Sequence, residues 1–231
     1  MKVLKHVAIF EALKARCVAE PIGTRLPPER LLALEFEVSV ITVRQALSSL
    51  ERDGWVRKFP GSGTFISRPR VSMGPGFSSF TEDMTRRGLH PSSKVMRCER
   101  IKPDLELHKI FGLRPGEGVI LLERLRFANS EPMCHEMSMF PDRFAPALMG
   151  KDLDGSVHEV LREHGIVGDS TQRVVSTVIL TDHEATLLQL PPGSPALETV
   201  DTFFDIKGSP IQHAQSRYRF DRYEARSTIR R

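Results

Sequence analysis

Two arginines two residues apart, Arg124 and Arg126, carry the most specific chemistry in the chain. Between Val119 and Ala128 a period-two alternation predicts a strand, with both guanidiniums on one face and Leu125 and Phe127 on the other. Like charges so placed repel, so a bound anion or an internal acid is expected beside them. Glu136, on the next stretch with Cys134 and Ser138 on its side, can be that acid or can accept ligand hydroxyls. Upstream, Ser78-Ser79-Phe80-Thr81 leads into a helix expected to begin Glu82-Asp83-Met84. Backbone N–H groups and hydroxyls at such a start attract an anion, although Glu82 and Asp83 complement the same dipole without any ligand.

A second set of residues lies near the N-terminus. Ser39, Val40, Ile41, Thr42 and Arg44 stand at the start of an expected helix. Placed in a major groove, Arg44 can pair with phosphate or guanine, Ser39 and Thr42 can bond phosphate, and Val40 or Ile41 can touch a thymine methyl. Arg30 on the preceding helix and Arg57, Lys58 and Gly63 in a following hairpin are candidates for backbone contact, Gly63 because it lets the hairpin approach closely. Taken singly, each arginine fits a solvated surface equally well.

The elements that must position these residues follow from spacing and punctuation. Ile9, Leu13 and Cys17 form one stripe of a helix over Val3 to Glu20, with Phe10 and Ala12 alongside, ended by Pro21-Ile22-Gly23. A second helix starts near Pro28, with Leu31, Leu32, Ala33 and Phe36 as its buried face. After the turn at Glu37-Val38, Ser39 caps a third helix whose stripe is Val43, Ala46, Leu47 and Leu50 and whose stop is Gly54. Strands at Trp55–Phe59 and Thr64–Ile66 flank Pro60-Gly61-Ser62-Gly63. Helix, helix, turn, helix, hairpin is the order of a winged helix-turn-helix. Arg68 to Gly76, rich in Pro and Gly, is read as a linker.

Beyond it, strands are expected at 94–101, 119–128, 132–140, 171–180, 196–205 and 210–220, and helices at 105–111, 157–164 and 183–190. Asn129-Ser130-Glu131 and Ile206-Lys207-Gly208-Ser209 are hairpin-like connections. The fold class is therefore α+β: a winged helix-turn-helix (1–68), a linker (69–77) and a mixed, largely antiparallel sheet domain with packed helices (78–231).

Charge divides at the same place. Residues 1–70 carry 12 Lys and Arg against 7 Asp and Glu, whereas 71–231 carry 21 against 22. A basic module joined to a near-neutral domain suits a nucleic-acid partner. No apolar run reaches the length of a membrane span, and Met1-Lys2-Val3-Leu4-Lys5-His6 is no signal sequence, so a cytoplasmic protein with no membrane partner is expected. Cys17, Cys98 and Cys134 form no C-x-x-C and are expected to be reduced. His158 and His164, six apart, fall on different faces of what reads as a solvated helix, unlike H-E-x-x-H, so neither metal nor cofactor is expected. His135 points away from Glu136 and is packed or exposed. An enzyme acting on a small anionic substrate through Arg124, Arg126 and Glu136 is the competing class; it lacks a nucleophile, paired catalytic carboxylates or metal ligands. A DNA-binding protein without a ligand is a third.

Leu26-Pro27-Pro28-Glu29-Arg30, Val38-Ser39, Thr42-Val43-Arg44-Gln45-Ala46-Leu47, Leu50, Gly54 and Gly61-Ser62-Gly63-Thr64-Phe65 resemble the GntR family. The resemblance implies a homodimer on a two-half-site operator in double-stranded DNA, with Arg30, Ser39, Thr42, Arg44 and Gly63 at DNA-contact positions. Val40 stands where family members usually carry Arg. Phe80 to Met84, Arg87 to Ser93, Glu123 to Arg126, Glu131 to Met133, Gly155-Ser156 and Tyr218 to Tyr223 resemble the UTRA effector domain of the HutC branch. That resemblance implies a phosphate held by Phe80, Thr81, Arg124 and Ser156 and a sugar met by Arg126, Glu136 and Tyr218, as in aminosugar-phosphate sensors, with Met139 in place of a usual Tyr. The function so implied is a repressor released by a small anionic metabolite, an effector that promotes DNA binding being the converse. Truncating Arg44 is expected to abolish operator binding alone, and truncating Arg124 to abolish the effector response alone.

Overall fold

The stripe Ile9, Leu13 and Cys17 is buried on α1 (Lys5–Ala19), where it meets the stripe of α3 (Val40–Arg52), Val43, Ala46, Leu47 and Leu50. This computed structural model describes residues 5–73 and 79–225, which divide into two compact units parting between Val71 and Ser72. Between α1 and α3 lies α2 (Glu29–Glu35). Its buried side is Leu32 and Ala33 with Phe36 packed beside them, while Leu31 is 55% exposed, contrary to the expected face. At 100° per residue a seven-residue helix buries one narrow stripe, and Leu31 falls off its edge. Ala12 of α1, expected alongside the buried stripe, is exposed as well.

The turn before α3 places Glu37 at φ 52, and Ser39 then caps the helix by accepting from the Thr42 N–H. Thr42, where a capping box would hold Glu or Gln, bonds the Ser39 hydroxyl through its own at 2.8 Å. Strands β1 (Val56–Phe59) and β2 (Gly63–Ile66) pair antiparallel as the wing, and Arg25 bridges to Phe65 on the far side of β2.

In the second unit, β4 (Pro91–Ile101), β5 (Val119–Ala128), β6 (Glu131–Pro141), β7 (Gly168–Ile179), β8 (Pro195–Asp205) and β9 (Pro210–Arg219) form one antiparallel sheet in the order β4-β5-β6-β9-β8-β7. Two three-stranded meanders thus meet at β6 and β9. Asn129 and Ser130 both take positive φ between β5 and β6, the backbone of a two-residue hairpin turn.

Both sheet faces are covered. Ile120, Leu122 and Phe140 lie under α6 (Ala145–Leu148) and α7 (Val157–Glu163), after a short 3-10 turn at Asp142–Phe144. On the other face Leu125 packs under α8 (Asp182–Leu187), and Val119 under α5 (Leu105–Phe111), which Asp104 caps and Gly112 ends at φ 59. A further helix, α4 (Phe80–Arg86), precedes β4. The stretch read as linker contains a short strand, β3 (Val71–Met73), paired with β10 (Tyr223–Ala225). Linker residues 74–77 and Ser78 lie outside the described residues. No described helix is long and apolar enough to cross a membrane.

Candidate functional site

Strand register, more than any single residue, builds the cavity of the second unit. Arg124 of β5 stands opposite Glu136 of β6, Glu136 opposite Ser216 of β9, and Ser216 opposite Thr199 of β8, a polar row across four strands on one face. Neighbouring rows add Arg126 and Tyr218 on one side, and Ala214, Asp201 and Arg173 on the other. Ser79 and Phe80 at the start of α4, and Ser156, Val157 and His158 around the start of α7, close the cavity.

Arg124 is only 1% exposed. Its Nε donates to Glu136 Oε1 at 3.1 Å, Nη2 donates to the same oxygen, and Nη1 reaches the carbonyls of Leu153 and Gly155 at 3.1 Å each. Arg126, 3% exposed, donates to Glu136 Oε2 at 3.3 Å and to Thr81 Oγ1 at 3.1 Å, and its Cζ lies 4.6 Å from the Phe80 ring centroid. No described acceptor reaches its Nε. The acid expected beside the arginines is thus Glu136, one carboxylate shared by two buried cations.

Burial works against the Glu136 charge, yet Arg124 and Arg126 and the Arg124 hydrogen bond outweigh it and hold its pKa down to about 2. Burial, and then the charge of Arg124, lower the pKa of Arg126. Burial raises Tyr218 and the Cys134 thiol, leaving both protonated. A carboxyl held below its ordinary value contributes stability that is complete above about pH 4.5 and lost as pH falls through about 2. The thermal midpoint of the second unit is expected to decline across that window, and the decline to shrink in Glu136→Gln. Equal declines in both proteins would show that Glu136 is not the group responsible.

Six of the seven effector candidates, Phe80, Arg124, Arg126, Glu136, Ser156 and Tyr218, line this cavity. Thr81 does not, but supports Arg126. The first turn of α4 differs from expectation: the helix begins at Phe80, and Ser79 and Glu82 close a capping box that satisfies their own N–H groups. α4 is held by Arg126, through Thr81 Oγ1 and the Phe80 ring. His158 is a second correction. It faces the cavity and bonds Gln212 Oε1 at 2.7 Å instead of lying on a solvated face. Arg173, Asp201, Gln212 and Ser216 were also missed, although period-two spacing back from Tyr218 reaches Ser216 and Gln212. His135 is buried on the opposite face against Glu123 at 2.9 Å, near Glu184, which Arg217 bonds.

In the first unit Arg30, Ser39, Arg44 and Arg57 are exposed, and Ile41 is 66% exposed where Val40 packs partly against the core. Of the two apolar candidates, Ile41 is the one that faces outward. Arg44 is held on Glu29 through Nε at 3.0 Å and Nη2 at 2.9 Å, and Lys58 rests on Glu51 and Ser48. Gly63 adopts φ +119, a backbone conformation that favours glycine, and a Cβ there would meet Arg25 Nε at 2.8 Å. Arg25 was not among the sequence candidates. Among the described residues no cluster of His, Cys, Asp or Glu could hold a metal ion.

Comparison with known proteins places both units. Residues 86–224 match the UTRA domain, and residues 7–66 match the bacterial regulatory proteins of the gntR family. The chain is 34% identical over 200 residues to the HTH-type transcriptional repressor NagR of Bacillus subtilis, covering 86% of this chain and 82% of that one. It is 29% identical over 222 residues to the HTH-type transcriptional repressor PhnF of Mycolicibacterium smegmatis, covering 96% and 91%. The crystal structure of PhnF from Mycobacterium smegmatis superposes with a TM-score of 0.75 at 28% identity, covering 96% of this chain and all of that one.

Proposed function

Since the chain belongs to the GntR family of transcription regulators, with a UTRA domain, we propose that it is a repressor that a small anionic metabolite releases from operator DNA. Family membership sets the enzymatic reading aside. In this reading a cytoplasmic homodimer places two α3 helices in successive major grooves of a two-half-site operator. Arg44 and Ile41 meet base edges, Ser39, Thr42 and Arg30 meet phosphates, and Arg57, Lys58 and Gly63 of the wing follow the backbone.

The observation that carries the effector half is Arg126: a guanidinium 3% exposed, sharing one carboxylate with Arg124 and lacking an acceptor at Nε. A buried cation so poorly matched favours an incoming anion. The proposed effector is an aminosugar phosphate or a similar anion, its phosphate near Phe80, Arg124, Ser156 and the spare Nε of Arg126, which Thr81 supports, and its remainder near Glu136 and Tyr218. Entry of the anion draws on Arg126, and α4 moves with it through Phe80 and Thr81. α4 is the first helix after the segment joining the two units, so its displacement alters the spacing of the DNA-binding heads that the half-sites fix.

A thermal-shift screen of sugar phosphates, phosphonates, urocanate and fatty acyl compounds, paired with gel shifts on the upstream DNA of the gene, tests both halves. A ligand at about 100 times its Kd adds roughly 2.7 kcal/mol to apparent stability. Stabilisation by an aminosugar phosphate with release of DNA is the expected result. Stabilisation with tighter DNA binding would reverse the direction, and no response to any anion would overturn the effector assignment.

A further inference from the structure

The six-stranded sheet ends in two unlike edges. β4 is blunted in the way that keeps an edge from pairing: Lys94, Arg97, Glu99 and Arg100 stand along it, Pro91 opens it, and a bulge between Val95 and Arg97 breaks its register with β5. From 170 to 179 β7 has none of these devices. Its pairing with β8 runs unbroken there, and Ser170-Thr171-Gln172-Arg173-Val174-Val175-Ser176-Thr177-Val178-Ile179 holds a single charge. That charge is engaged inward, Arg173 lying on the cavity face and donating from Nε to Asp201 Oδ1 at 2.5 Å.

The helices covering the sheet also leave most of β7 bare. Val174, Val175, Ser176 and Thr177 are exposed in succession, so neither face of the strand is packed at its middle. Val174 is 65% exposed and Ile179 67%. Val167, just before the strand, and Ile206, next to the Asp205 that pairs with Gly168, are exposed as well. Five of the fifteen exposed large hydrophobic side chains among the described residues thus follow one edge, and all five are the β-branched Val or Ile that suit a strand pair. Among the described residues no strand lies on the outer side of β7, where its backbone presents a row of N–H and C=O groups.

Resting on the reading of the chain as a homodimer, we propose that β7 is the dimer contact of the second unit, pairing antiparallel with β7 of a second copy about a two-fold axis at Val175. Residues that face each other across such a pair share a sheet face, so the axis passes through a residue and not between two. At Val175 it sets 171–179 against 179–171 of the second copy. Val175 then meets its own counterpart, and Arg173 meets an uncharged Thr177. An axis at Arg173 would oppose like charges directly, one at Val174 would make the two arginines diagonal neighbours, and one at Ser176 would shorten the overlap. Nine facing pairs carry about eight to ten backbone hydrogen bonds, the number found in a whole interface of standard size. Since Arg173 belongs to the same strand, one wall of the effector cavity and the dimer contact are a single element.

Sedimentation of the full chain at micromolar concentration tests this. The unmodified protein is expected to run as a dimer. Val175→Lys sets two ammonium groups against each other at the axis and is expected to weaken the dimer at least about a hundredfold. Val175→Glu alone is expected to do the same. Because Val175 is exposed, both variants keep their fold, read by circular dichroism. An equimolar mixture of the two places opposite charges at the axis and is expected to recover the dimer, which damaged protomers could not do. A monomeric unmodified chain overturns the homodimer reading and this inference together. A dimer as tight in Val175→Lys as before overturns the β7 contact while sparing the homodimer. Loss of the dimer in both variants without recovery in the mixture overturns the axis at Val175.

Discussion

Arg124→Met is expected to lower the stability of the second unit by about 3–5 kcal/mol, the range for breaking a buried ion pair from one side. Every nitrogen of Arg124 is engaged, two on Glu136 and one on the carbonyls of Leu153 and Gly155. Removing it leaves Glu136 buried with Arg126 as its one remaining cation, at 3.3 Å, and takes the donor from two carbonyls in the approach to α7. Arg126→Met loses less: one long ion pair and the bond to Thr81. A methionine there keeps contact with Phe80. Its cost is expected to be about 1–3 kcal/mol. Thermal and urea unfolding of the two variants decides the order, and Arg124→Met as stable as Arg126→Met would refute it. Adding Glu136→Gln to Arg124→Met is expected to restore part of the loss, since the orphaned charge goes with it.

The expected consequence goes further than the sequence-based expectation that truncating Arg124 removes only the effector response: the second unit is expected to lose stability as well. Arg124 fastens the loop before α7, whereas Arg126 fastens α4 and has donor capacity to spare. Arg126→Met is therefore the variant expected to lose anion binding while retaining the fold and the DNA-binding unit.

Why Arg124 and Arg126 were legible while their separate duties were not is a matter of range. Period-two alternation placed both on one face with Glu136 because strand geometry is local, and β5 runs from Val119 to Ala128 as expected. The α3 stripe and its Ser39 cap were legible for the same reason. The placing of the third and fourth strands of the row, β9 and β8, was not. That β9 joins β6, and so brings Gln212 and Ser216 beside Glu136, is a pairing between segments some 75 residues apart that no local spacing encodes. His158 was misread because helical period identifies faces without saying which one is covered. β3 and β10, three residues each, exist only through their pairing, and Pro and Gly nearby read as linker.

Arg44→Ala is expected to leave folding unchanged and to weaken operator binding at least about thirtyfold, since a lost arginine contact is repeated in the second half-site of a dimer. Arg44 is 62% exposed on its side chain, and an exposed ion pair contributes little to stability. Its partner makes the test sharper. Glu29 accepts from both Nε and Nη2, holding the guanidinium on the α2 side of α3 and competing with any phosphate or guanine for it. DNA must offer a better bidentate acceptor than Glu29 before Arg44 changes partner, so the pair discriminates by difference. Glu29→Gln removes that competition together with an acidic charge from the face. Its affinity for unrelated duplex is therefore expected to rise more than its affinity for the operator, with a steeper salt dependence. Gel shifts at two salt concentrations on operator and scrambled duplex separate the cases. If Arg44→Ala binds the operator normally and Glu29→Gln gains nothing on scrambled DNA, Arg44 only solvates the helix, and the base-reading role passes to Ile41 and the wing.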